Sequence, residues 1–129
     1  MKKWWLLIVI LHMSVLFVAC SGNDEGITED EEKIALAVTF IEQLADGNFD
    51  LATEYLDEEM SEVISTNELE QLWGDILIEF GAFVEQEYDS TEVMDDLTVV
   101  FIDGLFEVND VMFSVTVNES NEVSGFFIR

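Results

Sequence analysis

Proline is absent from all 129 residues, and histidine and cysteine occur once each. Both of those, His12 and Cys20, lie near the N-terminus, so nothing beyond residue 20 supplies an imidazole or a thiolate. That inventory excludes, from the rest of the chain, Cys/His and Ser/His/Asp catalysis and ordinary zinc sites, which need those side chains as base, nucleophile or ligand. One cysteine also excludes an intramolecular disulfide. Basic residues are nearly as scarce: there are 4 against 29 acidic ones, with Lys2 and Lys3 at the start and only Lys33 and Arg129 further on. Those two build no phosphate clamp, no glycine-rich phosphate loop is present, and a surface of this sign repels nucleic acid and anionic lipid. The acidic load reads most simply as a solvated face that keeps a protein soluble in saline or alkaline surroundings. What the chain does have is apolar content, half of its residues, with aromatics at 12%. That is enough to build a core and to set the sequence apart from disordered acidic ones.

The longest apolar run stands at the beginning. Met1-Lys2-Lys3 is cationic, and Trp4 to Ala19 is apolar but for His12 and Ser14. At ~1.5 Å per residue such a run makes about 24 Å of helix, short of the ~30 Å hydrocarbon core that an uncleaved anchor must cross. A cationic head, a hydrophobic middle and a small-residue exit are the layout of a cleaved secretory signal. Val18-Ala19-Cys20 resembles the end of the lipobox of bacterial lipoproteins, with Phe17 where that family usually has leucine. The resemblance implies that Cys20 is lipidated and becomes the new N-terminus. The protein would then be exported and anchored to the outer face of the cell membrane, since two or more acyl chains hold stably where one is marginal. Residues 1-19 are then the signal peptide. Residues 20-28, including Ser21-Gly22-Asn23-Asp24-Glu25-Gly26, form a flexible acidic tether, and 29-129 a single domain.

Within that domain the apolar spacing changes once. Thr28 and Glu31 form a capping-box pair ahead of Ile34, Ala37, Val38, Ile41, Leu44 and Ala45, which recur at helical spacing until Gly47. A shorter amphipathic pattern runs from Phe49 to Leu56, and Met60, Val63 and Ile64 share a face of a further turn or two. Ser65 and Glu68 are a second capping pair, followed by Leu69, Leu72, Trp73, Ile76, Leu77 and Phe80 on one helical stripe that Gly81 closes. Beyond Gly81 the period falls to about 2 and β-branched and aromatic residues increase. Strands are predicted at Phe83 to Tyr88, Leu97 to Val108, Val111 to Val117 and Val123 to Ile128. The apolar run Val99 to Ile102 predicts that the second strand is covered on both faces. Gly104, within that strand, predicts a bulge that bends the sheet. The class is α+β: N-terminal helices packed on a curved antiparallel sheet of about four strands.

This order of elements resembles the NTF2-like cone folds, and the local text resembles the DUF3887 family more closely. The pieces that carry the likeness are Ala37 to Glu42, Gly47 to Ala52, the Leu72-Trp73 helix running to Phe83, and Val123 to Phe127. All are packing or turn features, so the resemblance bears on fold far more than on activity. In DUF3887 proteins this domain often precedes a hydrolase domain, whereas this chain ends after it, so no hydrolase activity is implied. Cone folds also include isomerases and dehydratases that place an Asp base and a Tyr or Asp donor in an apolar hollow. The residues that match such roles are Asp103 and Tyr55. Trp73, Phe80, Phe101 and Phe113 would line a pocket if the cone is open, and belong to the core if it is filled. The acidic runs Asp57-Glu58-Glu59, Asp95-Asp96 and Glu85/Glu87 match no calcium loop, and no metal or cofactor is expected. The expected function is that of a membrane-anchored lipoprotein whose domain binds an envelope protein or a small apolar ligand without catalysis, with oligomerisation left open. The alternatives are a small isomerase or hydratase using a buried carboxylate, and a structural spacer.

Overall fold

The computed structural model describes residues 28–129. The expected signal peptide, Cys20 and the expected tether up to residue 27 lie outside the described residues. Helices α1 (Glu29–Ala45), α2 (Phe49–Glu54), α3 (Glu58–Val63) and α4 (Thr66–Phe80) precede strands β1 (Phe83–Met94), β2 (Leu97–Phe106), β3 (Val111–Val117) and β4 (Val123–Ile128). The strands form one antiparallel meander in the order β1-β2-β3-β4.

Local chemistry sets the helix ends. Both capping boxes form: Glu31 N–H donates to Thr28 Oγ1 at 3.2 Å and Thr28 N–H to Glu31 Oε2 at 3.2 Å. Glu68 N–H donates to Ser65 Oγ at 3.2 Å and Ser65 N–H to Glu68 Oε2 at 2.8 Å. Each satisfies two orphan donors of a first turn. Asp57 caps α3 by accepting from Met60 N–H at 2.8 Å. After α1 and α4 the chain turns at Gly47 (φ 78) and Gly81 (φ 86), a conformation that costs glycine nothing.

The core lies between the sheet and the inner stripes of α1 and α4. From α1 come Ala37, Phe40, Ile41 and Leu44, from α4 Leu69, Trp73 and Ile76, and from the central strands Val100, Ile102, Phe106, Phe113, Val115 and Val117. Trp73 stands 5.8–6.0 Å from the rings of Phe83, Phe106 and Phe113. Phe113 stacks on Phe126 at 5.7 Å, which meets Phe40 edge-on at 5.3 Å. Among the described residues, every buried member of this cluster lies between Ala37 and Val123. One cation is buried too. Lys33, 3% exposed, donates through Nζ to Asn121 Oδ1 at 2.9 Å and to Glu29 Oε1 at 3.3 Å, tying the start of α1 to the turn before β4.

Four expectations are corrected. The first strand runs on to Met94 rather than ending at Tyr88. Its polar second half is held by backbone pairing to β2, which needs no apolar pattern. The second strand ends at Phe106, and it is covered on one face only. Val100, Ile102 and Phe106 are buried, while Val99, Phe101, Asp103 and Leu105 on the other face are partly exposed. The apolar run that predicted a two-sided strand arises because both faces carry apolar residues. Finally, Gly104 is not at a bulge. The β2–β3 register is unbroken from Thr98↔Val117 to Gly104↔Val111, and the shifts lie instead between Phe83 and Glu85, between Tyr88 and Ser90, and beside Val117. Glycine is there because the Phe113 ring occupies the space a Cβ would take.

Candidate functional site

The connection between α2 and α3 crosses to the free side of β4. Val123 N–H donates to Tyr55 O at 2.7 Å and Asp57 N–H to Val123 O at 2.9 Å, so that Leu56 pairs with Val123 as a single parallel bridge. At Asp57 the chain turns away into α3, which the Asp57 carboxylate caps, and α3 and α4 then stand over the rest of β4 without closing on it. The result is an apolar groove of about 320 Å³. Phe40 and Leu56 line its inner end, Met60, Val63 and Ile64 one wall, Leu69 and Leu72 the roof, and Ser124 to Phe127 the wall formed by β4. Val63 (76% exposed) and Phe127 (65% exposed) lie at its mouth.

Ser124, one of the lining residues, carries a buried polar atom without a partner. Ser124 is the extra residue where the β3–β4 register shifts, Thr116 pairing with Gly125 and Val117 with Val123. Its Oγ is buried and makes no hydrogen bond. An unpartnered buried hydroxyl costs about 1–3 kcal/mol. The helices that carry the groove's lining are otherwise acidic: Glu58, Glu59 and Glu62 of α3 and Glu68 of α4 are all exposed.

The residues singled out in the sequence fall elsewhere. Asp103 lies on the outer face of β2, opposite Glu87 on β1 and Met112 on β3. Tyr55 ends α2 and packs against the core on the helical side. Asp103 thus faces away from the core against which Tyr55 packs. Trp73 and Phe113 are buried in the aromatic core, Phe80 packs on Phe106 at 6.1 Å, and Phe101 faces outward under the Arg129 guanidinium at 5.4 Å. None of these four borders the groove, because the helical stripe that carries Trp73 packs directly onto the sheet and fills the space an open cone would leave. The aromatic residues at the groove, Phe126 and Phe127, read in the sequence only as part of a strand. The shared face of Met60, Val63 and Ile64 was visible there, but not what it faces.

A second, polar hollow of about 230 Å³ has Lys33 at its floor and Glu29, Asp30, Asp95, Asp96 and Glu119 around it. Among the described residues no group of three or more His, Cys, Asp or Glu is placed to hold a metal ion. No helix of the described residues is long and apolar enough to cross a membrane.

Three comparisons bear on this geometry. A family model described as "Protein of unknown function (DUF3887)" matches residues 37–126. The crystal structure of a Campylobacter jejuni protein described as an NTF2-like transpeptidase superimposes with a TM-score of 0.55 at 14% identity, over 78% of this chain and 97% of that one. At that identity the likeness is one of fold, helices followed by a curved four-stranded sheet. No curated protein matches the chain.

Proposed function

The chain belongs to the DUF3887 family, and on that premise we propose that it is a non-catalytic binding module of the cell envelope. Its NTF2-like domain, held at the outer face of the membrane through lipidated Cys20, takes an apolar occupant in the groove between α3, α4 and β4. The observation that carries this reading is the groove itself. A concave, largely apolar surface is the usual make-up of a recognition site, and this one is lined by Leu56, Met60, Ile64, Leu69, Leu72 and Phe126. Catalysis draws no such support. The domain contains neither histidine nor cysteine, and Asp103 and Tyr55 lie on opposite sides of the sheet. The activity for which the Campylobacter jejuni protein is described does not carry over at 14% identity.

The test uses residues 21–129 and N-phenyl-1-naphthylamine, an uncharged probe that the acidic surface does not repel. Probe fluorescence should rise saturably with the wild-type domain. Val63→Glu, at an exposed position where substitutions usually change stability by less than about 0.5 kcal/mol, should weaken binding by roughly tenfold or more. Equal binding by both would remove the groove from the reading. For the anchor, a radiolabelled fatty acid should enter the wild-type chain and not Cys20→Ala; equal label in both would end the lipoprotein assignment.

A further inference from the structure

Resting on the groove reading, we propose how its occupant is held: an extended apolar peptide segment bearing lysine or arginine adds to β4 as a fifth strand. The β3–β4 ladder determines which backbone groups are free. Met112 N–H donates to Arg129 O at 3.1 Å and Arg129 N–H to Met112 O at 3.0 Å, so these two are a hydrogen-bonded pair. Pairs alternate along an antiparallel ladder, so Phe127 and Gly125 also bond to β3, while Phe126 and Ile128 aim N–H and C=O away from it. Among the described residues neither has a backbone partner on that side. The line they form begins at Val123, where Tyr55 and Asp57 already make the two bonds of an added strand before the chain leaves for α3.

The two edges of the sheet are treated differently by the sequence. β1 carries exposed Glu85, Glu87, Asp89 and Glu92, charges of the kind that keep an edge from pairing with a stray strand. β4 reads Val-Ser-Gly-Phe-Phe-Ile, with no charge and no proline. An added strand would send alternate side chains into the groove between Met60, Ile64, Leu72 and Phe126, the division of labour found where a peptide lies between a strand edge and a helix. The exposed glutamates of α3 and α4 select the charge of that peptide. They also disfavour a second copy of this chain as occupant, since each copy brings the same excess of 29 acidic residues over 4 basic ones.

The test uses the full chain in phosphatidylcholine nanodiscs and a dye-labelled, acetylated and amidated heptapeptide alternating lysine and valine, with empty nanodiscs as blank. Two further versions are N-methylated at alternate peptide bonds, each blocking one edge while keeping side chains and charge. The parent peptide should bind saturably and slow amide exchange at Phe126 and Ile128. One N-methylated version should bind roughly tenfold more weakly, the loss expected for one or two net hydrogen bonds. Equal binding by all three peptides, or no binding of the parent while the naphthylamine probe still binds, would overturn strand addition and leave the groove reading standing. Failure of peptide and probe alike would sink both. An alternating glutamate-valine peptide that binds as well as the lysine one would overturn the charge selection. Exchange protection of β4 that grows with protein concentration alone would overturn the peptide in favour of a second copy.

Discussion

Replacing Gly104 by alanine should destabilise the domain by about 1–2 kcal/mol, and the cost should come from the Phe113 ring. A Cβ at residue 104 runs into Phe113 Cε2 and stands 3.1 Å from Phe106 Cε2. Phe113 is fully buried, with Trp73 at 6.0 Å and Phe126 at 5.7 Å, so it has nowhere to retreat. Overpacking of this kind costs about 1–3 kcal/mol. Set against it is the smaller conformational freedom of the unfolded alanine chain, about 0.4–1 kcal/mol in favour of the variant, since Gly104 is not among the residues of positive φ. With a urea m-value of roughly 1–2 kcal/mol/M for a domain of this size, the midpoint should fall by roughly 1 M. Phe113→Leu opens the space, so the double variant should be about 1 kcal/mol more stable than the sum of the single losses predicts. A Gly104→Ala variant as stable as the parent would refute the packing argument. A loss that simply adds to that of Phe113→Leu would place the cost in the backbone, as a bulge glycine requires.

Other perturbations probe electrostatics and polar satisfaction. Because repulsion among the carboxylates is screened over about 3 Å at 1 M salt, against roughly 10 Å at 0.1 M, urea midpoints should rise with added NaCl; a flat series would refute this. Lys33→Met removes the buried ammonium from its hydrogen bond to Asn121 and leaves Glu29, Asp30, Asp95, Asp96 and Glu119 around the hollow without a cation. It should cost about 1–3 kcal/mol at low salt and less at high salt, and unchanged stability in both would refute the role assigned to it. Gln86 donates to Val38 O at 3.1 Å while its Oε1 is buried without a partner. Gln86→Leu removes both groups at once and should change stability by less than about 1 kcal/mol; a larger loss would show that the amide anchors β1 to α1.

The features legible in the sequence are those that act over a few residues. Thr28 with Glu31 and Ser65 with Glu68 mark helix starts because the bonds that make them join residues three apart. Gly47 and Gly81 mark the turns that follow because only glycine takes their positive φ freely. Of the site, the apolar face of Met60, Val63 and Ile64 could be read but not its counterpart. Ser124 left no trace, since a serine in a strand is unremarkable until a register shift buries its hydroxyl.

The sequence by itself determined the class, helices first and an antiparallel meander after, through one change of period near Gly81. Through its residue inventory it also excluded histidine and cysteine chemistry from the domain. Tertiary structure alone decided which face of β2 is buried, and so that Asp103 and Phe101 look outward, because two apolar faces of a strand are equivalent until a helix packs on one. It alone turned Gly104 from an expected bulge into the seat of the Phe113 ring. And it alone left the outer backbone groups of Phe126 and Ile128 without a partner among the described residues, beside an apolar groove, since the backbone groups of an edge are identical in every strand and only the path of the α2–α3 connection decides which of them it covers.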